Sequence, residues 1–400
     1  MMAGLNGVVL TGDLFNLFVF LEIASLASYA LVAFGGRSES FEAGFKYLVF
    51  GTLASFFLLF GIGLFYAQFG TTNMGLISQQ IGGAEPSGIA ILGVVMLIAG
   101  FALKGALVPF HAWLPDAYTA APAQIPAMSS GAIIKILGVY ALVRLLFTVM
   151  GMVPGTPLST AVVALGAISM VVGALLALGQ SDFKRMLGWS SISQVGYIVI
   201  ALGLGTPLGL IAGLFHLVCH ATFKSLMFLN AGAIEQGAGT VDMRELGGLA
   251  KRMPITGTTS FVGAMSIAGL PPFGGFFSKL LIIWACVEAS RYWLAFLAAA
   301  VGILTLGYFA KMLKETFFGE PSAKAARAHE APAMMLIPTI VLAILCLATS
   351  MLYFDKPRQK FLAPAMESIL FPKHYVSLTT GQTALPIEET ALPVEDMKDE

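Results

Sequence analysis

The chain has 400 residues, 57% of them hydrophobic and 11% charged, with a mean hydropathy of +0.85. A soluble domain cannot cover that much apolar surface, so the composition indicates an all-α polytopic membrane protein and excludes an ordinary soluble enzyme. Lys plus Arg (22) balance Asp plus Glu (22), and a net charge of zero leaves no footprint for nucleic acid.

The opening MMAGLNGVVLTGD has no basic n-region and too short an apolar core for a cleavable signal peptide. Its LNGVVL reads as the last turns of a membrane helix whose beginning is absent. At roughly 20 apolar residues per span, ten spans are expected after it. They fall near 14–34, 43–69, 88–110, 124–150, 158–179, 188–204, 207–233, 256–287, 293–317 and 332–354. Residues 355–400 read as a polar, flexible tail ending in EETALPVEDMKDE.

Number the loops by the helices they join. The odd-numbered ones hold Arg37, Lys184, Arg185, Arg244, Lys251, Arg252, Lys311, Lys314, Lys324 and Arg327, whereas the even-numbered ones hold only Arg291. The positive-inside rule places the basic set in the cytoplasm of a multi-pass inner-membrane protein, with the acidic tail outside. Cys219, Cys286 and Cys346 all lie in apolar runs with no close pair, which suggests neither a disulfide framework nor an iron–sulfur or zinc site. Neither a cofactor nor a metal is expected, and no redox or hydrolytic motif is present.

Two spans are interrupted. The third, AGFALKGALVPFHAWLPDA, carries Lys104 and breaks around Val108–Pro109. The eighth, SIAGLPPFGGFFSKLL, holds Pro271, Pro272, Gly274 and Gly275 with Lys279 beyond them. Broken backbone at membrane depth is tolerated only where protein or water satisfies it. Two such helices five spans apart suggest an inverted repeat of about five helices, an arrangement common in ion-coupled transporters.

An ionisable residue within a span is a functional hypothesis by default, because insertion costs about 2.5–3.5 kcal/mol. Glu22 lies mid-span in LFNLFVFLEIASLASYALVAF, with Ser25 and Tyr29 on the same face; a carboxyl that merely stabilises helix packing is the plainer reading. Lys135 sits deep in MSSGAIIKILGVYALVRLL, whereas Arg144 is close enough to an interface to snorkel and Lys46 reads as an interfacial anchor. In LFHLVCHATFKSLMFLNAG, His216, His220 and Lys224 step by four and form one ladder. Two histidines at that spacing can bind zinc, but no Glu follows His216 as in H-E-x-x-H, and a proton wire suits the spacing better. The chemistry these groups permit is proton or cation transfer. Lys104 would exchange its proton as the field of Glu22 changes, whereas His111 and Asp116 read as shaping a helix junction.

At these residues the chain resembles a known family. GDLFNLFVFLEIASLASYAL, LKGALVPFHAWLPDAYTAAP, SDFKRMLGWSSISQVGY, FHLVCHATFKSLMFLNAG and GLPPFGGFFSK are similar, in order, to motifs of the antiporter-type subunits. That family is shared by respiratory complex I (NADH:quinone oxidoreductase), energy-converting membrane-bound hydrogenases and Mrp-type Na+/H+ antiporters, and the Mrp D and hydrogenase forms look most similar. The resemblance implies a fourteen-helix fold with two inverted five-helix repeats and a midplane proton path. By motif, Glu22, Lys104 and Lys135 would serve the first half, His216, His220 and Lys224 the central relay, and Lys279 the exit.

The organisation then expected is a partial first repeat over 1–150, a second over 151–320, a loop and last span over 321–354, and the tail. The first three helices and most of the fourth would be missing, supplied by a separate subunit or hidden by a mis-assigned start. The partners implied are other membrane subunits, the lipid bilayer and protons, with Na+ as the counter-ion of an antiporter. The competing function is a non-conducting scaffold of such a complex.

Overall fold

The structure, a computed structural model, describes residues 1–81 and 87–370, and the side chains of 132–137 fall outside that description. In chain order the helices are α1 (Met2–Leu10), α2 (Leu14–Ala33), α3 (Ser38–Phe69), α4 (Met74–Ile81), α5 (Gly88–Lys104), α6 (Trp113–Ala120) and α7 (Gln124–Met128). There follow α8 (Ile134–Val143), α9 (Pro157–Leu178), α10 (Phe183–Gly203), α11 (Pro207–Ala238) and α12 (Pro254–Ala268). Then come α13 (Gly274–Glu288), α14 (Tyr292–Phe317) and α15 (Ala333–Ala348), with a shorter helix at Ala363–Leu370. Among the described residues there is no strand, only two isolated bridges, Asp13 with Asn73 and Asp182 with Asp242. Among the described residues seven segments are long and apolar enough to cross a membrane: α2, α3, α9, α10, α11, α14 and Ala333–Tyr353. The protein is an all-α, multi-pass membrane bundle.

The boundaries follow local chemistry. Asp13 caps α2 by accepting from Asn16 N, Asp182 caps α10 by accepting from Arg185 N, and Thr156 and Thr206 cap α9 and α11 with a proline next in each. The expected spans near 88–110 and 256–287 each divide. The first helix stops at Lys104, ahead of the anticipated break, and resumes as α6; the second divides into α12 and α13. The span near 124–150 is less regular than expected, because π-helical turns at Ser129–Ile133 and Arg144–Val149 flank α8.

The tail also begins differently from its polar reading. Residues 355–370 are largely helical, and Leu362, Met366, Ile369 and Leu370 pack on the core at helical spacing. Residues 371–400, with the acidic end, lie outside the described residues.

α10 stands at the centre. Its apolar window is 94% buried, against 61% for α11 and 33% for α3 and α14. It is also the least hydrophobic of the seven spans, and the polar side chains Ser190, Ser191, Ser193 and Gln194 are all fully buried. Those groups must find partners inside the bundle.

Candidate ion-relay site

Lys104 is the last residue of α5, where the exposed carbonyls of a helix end favour a cation. Its Nζ lies 2.9 Å from Glu22 Oε1, 2.9 Å from Ser25 Oγ and 3.2 Å from Tyr29 OH, all on α2. Three acceptors match the three N–H groups of an ammonium. Lys104 is 4% exposed whereas the Glu22 side chain keeps 25%, so the pair has one buried and one partly accessible member. Tyr29 packs edge-on against Tyr47, which stacks on Trp113 at 4.0 Å between ring centroids. Trp113 Nε1 in turn donates to Leu103 O, at the helix end that carries Lys104. Gly51 makes this possible, because a Cβ there would overlap the Tyr29 hydroxyl.

The two interruptions satisfy their backbone in different ways. At the first, Ser169 Oγ of α9 accepts from Val108 N and Trp113 takes the Leu103 carbonyl. At the second, the Lys279 ammonium itself donates to Ile267 O at 2.7 Å and lies 5.0 Å from the centre of the Tyr197 ring. The two lysines therefore stand on opposite sides of their breaks. Lys104 ends the helix before its break, whereas Lys279 sits on the helix after the break and reaches back across it. Among the described residues Lys279 has no carboxylate within ion-pairing distance.

On α11, His216, His220 and Lys224 are all buried, but their polar atoms serve different neighbours. His216 Nδ1 lies 2.9 Å from Ser278 Oγ of α13, and its Nε2 lies 3.2 Å from Gln194 Oε1 of α10. Lys224 donates to Leu187 O at 3.0 Å and to Ser190 Oγ, both on α10. The His220 ring packs 5.6 Å from Phe223. Among the described residues no group of three His, Cys, Asp or Glu could hold a metal ion. Lys135 belongs to α8, and its side chain lies outside the described residues.

At the helix ends an ionic network joins elements distant in sequence. Asp116 of α6 lies 3.1 Å from both Lys46 of α3 and Arg185 of α10. Lys184 is buried, pairs with Glu235 of α11 at 2.5 Å and donates to Ala121 O. Lys46 is thus an inter-helix tie. Arg144 is likewise not a free snorkelling side chain: it donates to Tyr140 OH at 2.8 Å and to Thr11 O at 3.4 Å, joining the α1–α2 turn to the π-helical end of α8. The His111 ring lies 5.3 Å from Trp189. Ser190, Gln194, Ser278, Ser169 and Glu235 were not singled out from the sequence. The one available signal was a SSISQ run within an otherwise apolar span.

Comparison with known proteins bears on the same residues. Positions 11–305 match the family described as NADH:quinone oxidoreductase/Mrp antiporter, TM. The D-type polypeptide of the Na(+)/H(+) antiporter of Alkalihalophilus pseudofirmus is 36% identical over 94% of this chain and 76% of its own length. The N-type polypeptide of NADH-quinone oxidoreductase of Desulforudis audaxviator is 39% identical over 86% of this chain and 70% of its own length. Among solved structures, one polypeptide of the Mrp complex from a Dietzia species superposes with a TM-score of 0.86 at 28% identity, covering 94% of this chain and 78% of that one.

Proposed function

The chain belongs to the NADH:quinone oxidoreductase/Mrp antiporter transmembrane family, and from that premise we propose that it is the proton- or cation/proton-translocating subunit of a multisubunit membrane complex. Protons move along Glu22, Lys104, Lys135, His216, His220, Lys224 and Lys279. The observation that carries this reading is the Lys104–Glu22 pair, an ammonium held by three acceptors at the end of an interrupted helix. A lysine so held is charged while Glu22 is ionised and near, and loses that support when the carboxylate moves or is neutralised. Its proton is therefore exchangeable within a cycle.

The chain is organised as two five-helix repeats, a partial one over 1–150 and a second over 151–320. Support comes from the order of lengths: α2 and α3 have 20 and 32 residues, α10 and α11 have 21 and 32, and an interrupted helix follows each pair. The bridges Asp13–Asn73 and Asp182–Asp242 stand at the corresponding turns. The end bearing Lys184, Arg185, Arg244 and Lys251 faces the cytoplasm, as the basic loops argue. Partner subunits supply the driving force, by electron transfer or by exchange for Na+; relatives of both kinds match at similar identity.

The test is Lys104→Ala in the assembled complex, reconstituted in proteoliposomes with a pH-sensitive dye. Ion-driven or redox-driven proton movement is expected to be abolished while the complex assembles at normal levels. Full-rate transport would overturn the reading and leave a non-conducting scaffold as the role.

A further inference from the structure

α12 and α15 start at the same end of the bundle. Glu330, just ahead of α15, accepts from Ile255 N at 2.8 Å and from Thr256 Oγ1 at 2.6 Å, and farther along Cys346 meets Ser266. Between the two helices lies a groove of about 440 Å³, walled by Ile255, Thr258 and Val262 of α12 and by Ile340, Ile344 and Leu347 of α15. It opens outward. Ile255, Ile340, Ile344 and Leu347 are all exposed, and Ala333–Tyr353 is the least buried of the seven spans.

The wall offers a guest little that is polar. The hydroxyls of Thr258 and Thr259 donate back to Pro254 O and Ile255 O of their own helix. A polar solute would lose hydrogen bonds there, whereas a hydrocarbon chain has none to lose. From Pro254 to Val262 the groove runs about 12 Å. Its volume over that length gives a mean section of about 37 Å², less than half that of a helix 10 Å across. That section suits a flexible chain better than another helix. At the mouth, Lys251 and Arg252 precede Pro254 by at most about 11 and 7 Å of chain. Both are exposed, and among the described residues neither belongs to an ion pair. Glu330, the acid at the start of α12, is engaged by two backbone N–H groups and the Thr256 hydroxyl. An apolar groove therefore ends in a positive mouth.

We propose that the groove between α12 and α15 binds an anionic phospholipid, with an acyl chain along Ile255, Val262, Ile344 and Leu347 and the phosphate at Lys251 and Arg252. The site stands apart from the translocation reading above. In a bilayer any lipid can wet the apolar wall, and the basic pair selects which one stays, as basic pockets between spans hold acidic headgroups. The phosphate is held by these two side chains and not by the N-terminus of α12, which Glu330 already caps. A lipid that binds only the folded chain also stabilises it.

The test places the complete complex in phosphatidylcholine nanodiscs with a trace of phosphatidylglycerol carrying a photoactivatable acyl chain, and maps the labelled peptides by mass spectrometry. Label is expected on residues 254–262 and 340–347. Unlabelled phosphatidylglycerol should displace it, and further phosphatidylcholine should not. In Lys251→Gln/Arg252→Gln the phosphatidylglycerol needed for half displacement should rise about thirtyfold, the combined effect of two basic side chains at a membrane surface. Ile344→Trp, at an exposed position of the wall, narrows the groove and should remove most of the label while the complex still assembles. Label spread evenly over lipid-facing helices such as α3, or equal displacement by the two lipids, would overturn the proposal. A photoreactive amino acid at position 344 that captures another subunit and no lipid would overturn it too, by making the groove a subunit contact. If the double variant fails to assemble, the comparison of the two lipids on the parent complex decides.

Discussion

A charged side chain in this bundle is held by acceptors that neighbouring helices or a broken backbone supply. Lys104 meets three acceptors from one face of α2, and Ser25 and Tyr29 were legible there because they follow Glu22 at helical spacing. Lys279 was legible as a buried lysine but not as a cap: its acceptor is a carbonyl freed by the break, and no side-chain pattern announces a carbonyl. Outside the membrane, the turn between α9 and α10 offers a separate residue-level test. Burial, with Asp242 close by, holds the Asp182 carboxyl above its usual range, against the opposing pull of the Arg185 amide, Lys184 and Arg185. A carboxyl raised on folding adds stability below its unfolded value and loses it as pH rises through its folded value. Asp182→Asn keeps an oxygen to cap Arg185 N and removes that dependence. The variant is expected to melt higher than the parent near neutral pH, with the difference closing as pH falls into the carboxylate range. Thermal melts of the detergent-solubilised complex from about pH 8 to about pH 4 would check this.

Among the elements, the interrupted helices and the buried α10 matter most. Proline and glycine made the interruptions readable, yet the first helix stops at Lys104, well before Pro109, because Ser169 and Trp113 take up the backbone groups of the turn between them. At the second interruption Gly275 is indispensable: a Cβ there would overlap the Ser266 carbonyl oxygen. Gly275→Ala must separate α13 from α12 and is expected to cost about 3 kcal/mol. The measurement is the detergent melting temperature of the complex, and an unchanged value would show that the two helices can part without loss. α10 was readable as a span, but its central place was not. Its hydropathy is the lowest of the seven spans because it lies against protein and not lipid, so a scale tuned to lipid undervalues it.

Across the whole molecule, ionic ties at the helix ends join segments that are remote in sequence. Lys184 is the deepest of those described: it holds Glu235 of α11 and the Ala121 carbonyl ahead of α7. Lys184→Met is expected to destabilise the chain by ~2 kcal/mol, less than the ~3–5 kcal/mol of a fully buried pair because Glu235 keeps solvent contact. The Lys184→Met/Glu235→Leu double variant should recover most of that loss, and a double-variant cycle on melting would measure the coupling. The sequence by itself determined the class, most of the spans, the two interruptions, the family and the burial of Lys104, His216, His220, Lys224 and Lys279. All of these depend on local hydrophobicity, on proline and glycine, and on the high cost of burying a charge. Only the tertiary structure decided which groups meet. It placed Glu22 against Lys104, turned His216 and Lys224 toward α10, and sent Lys279 back across its break. Those pairings join helices far apart in the chain, and helical periodicity specifies a face without specifying the neighbour that covers it.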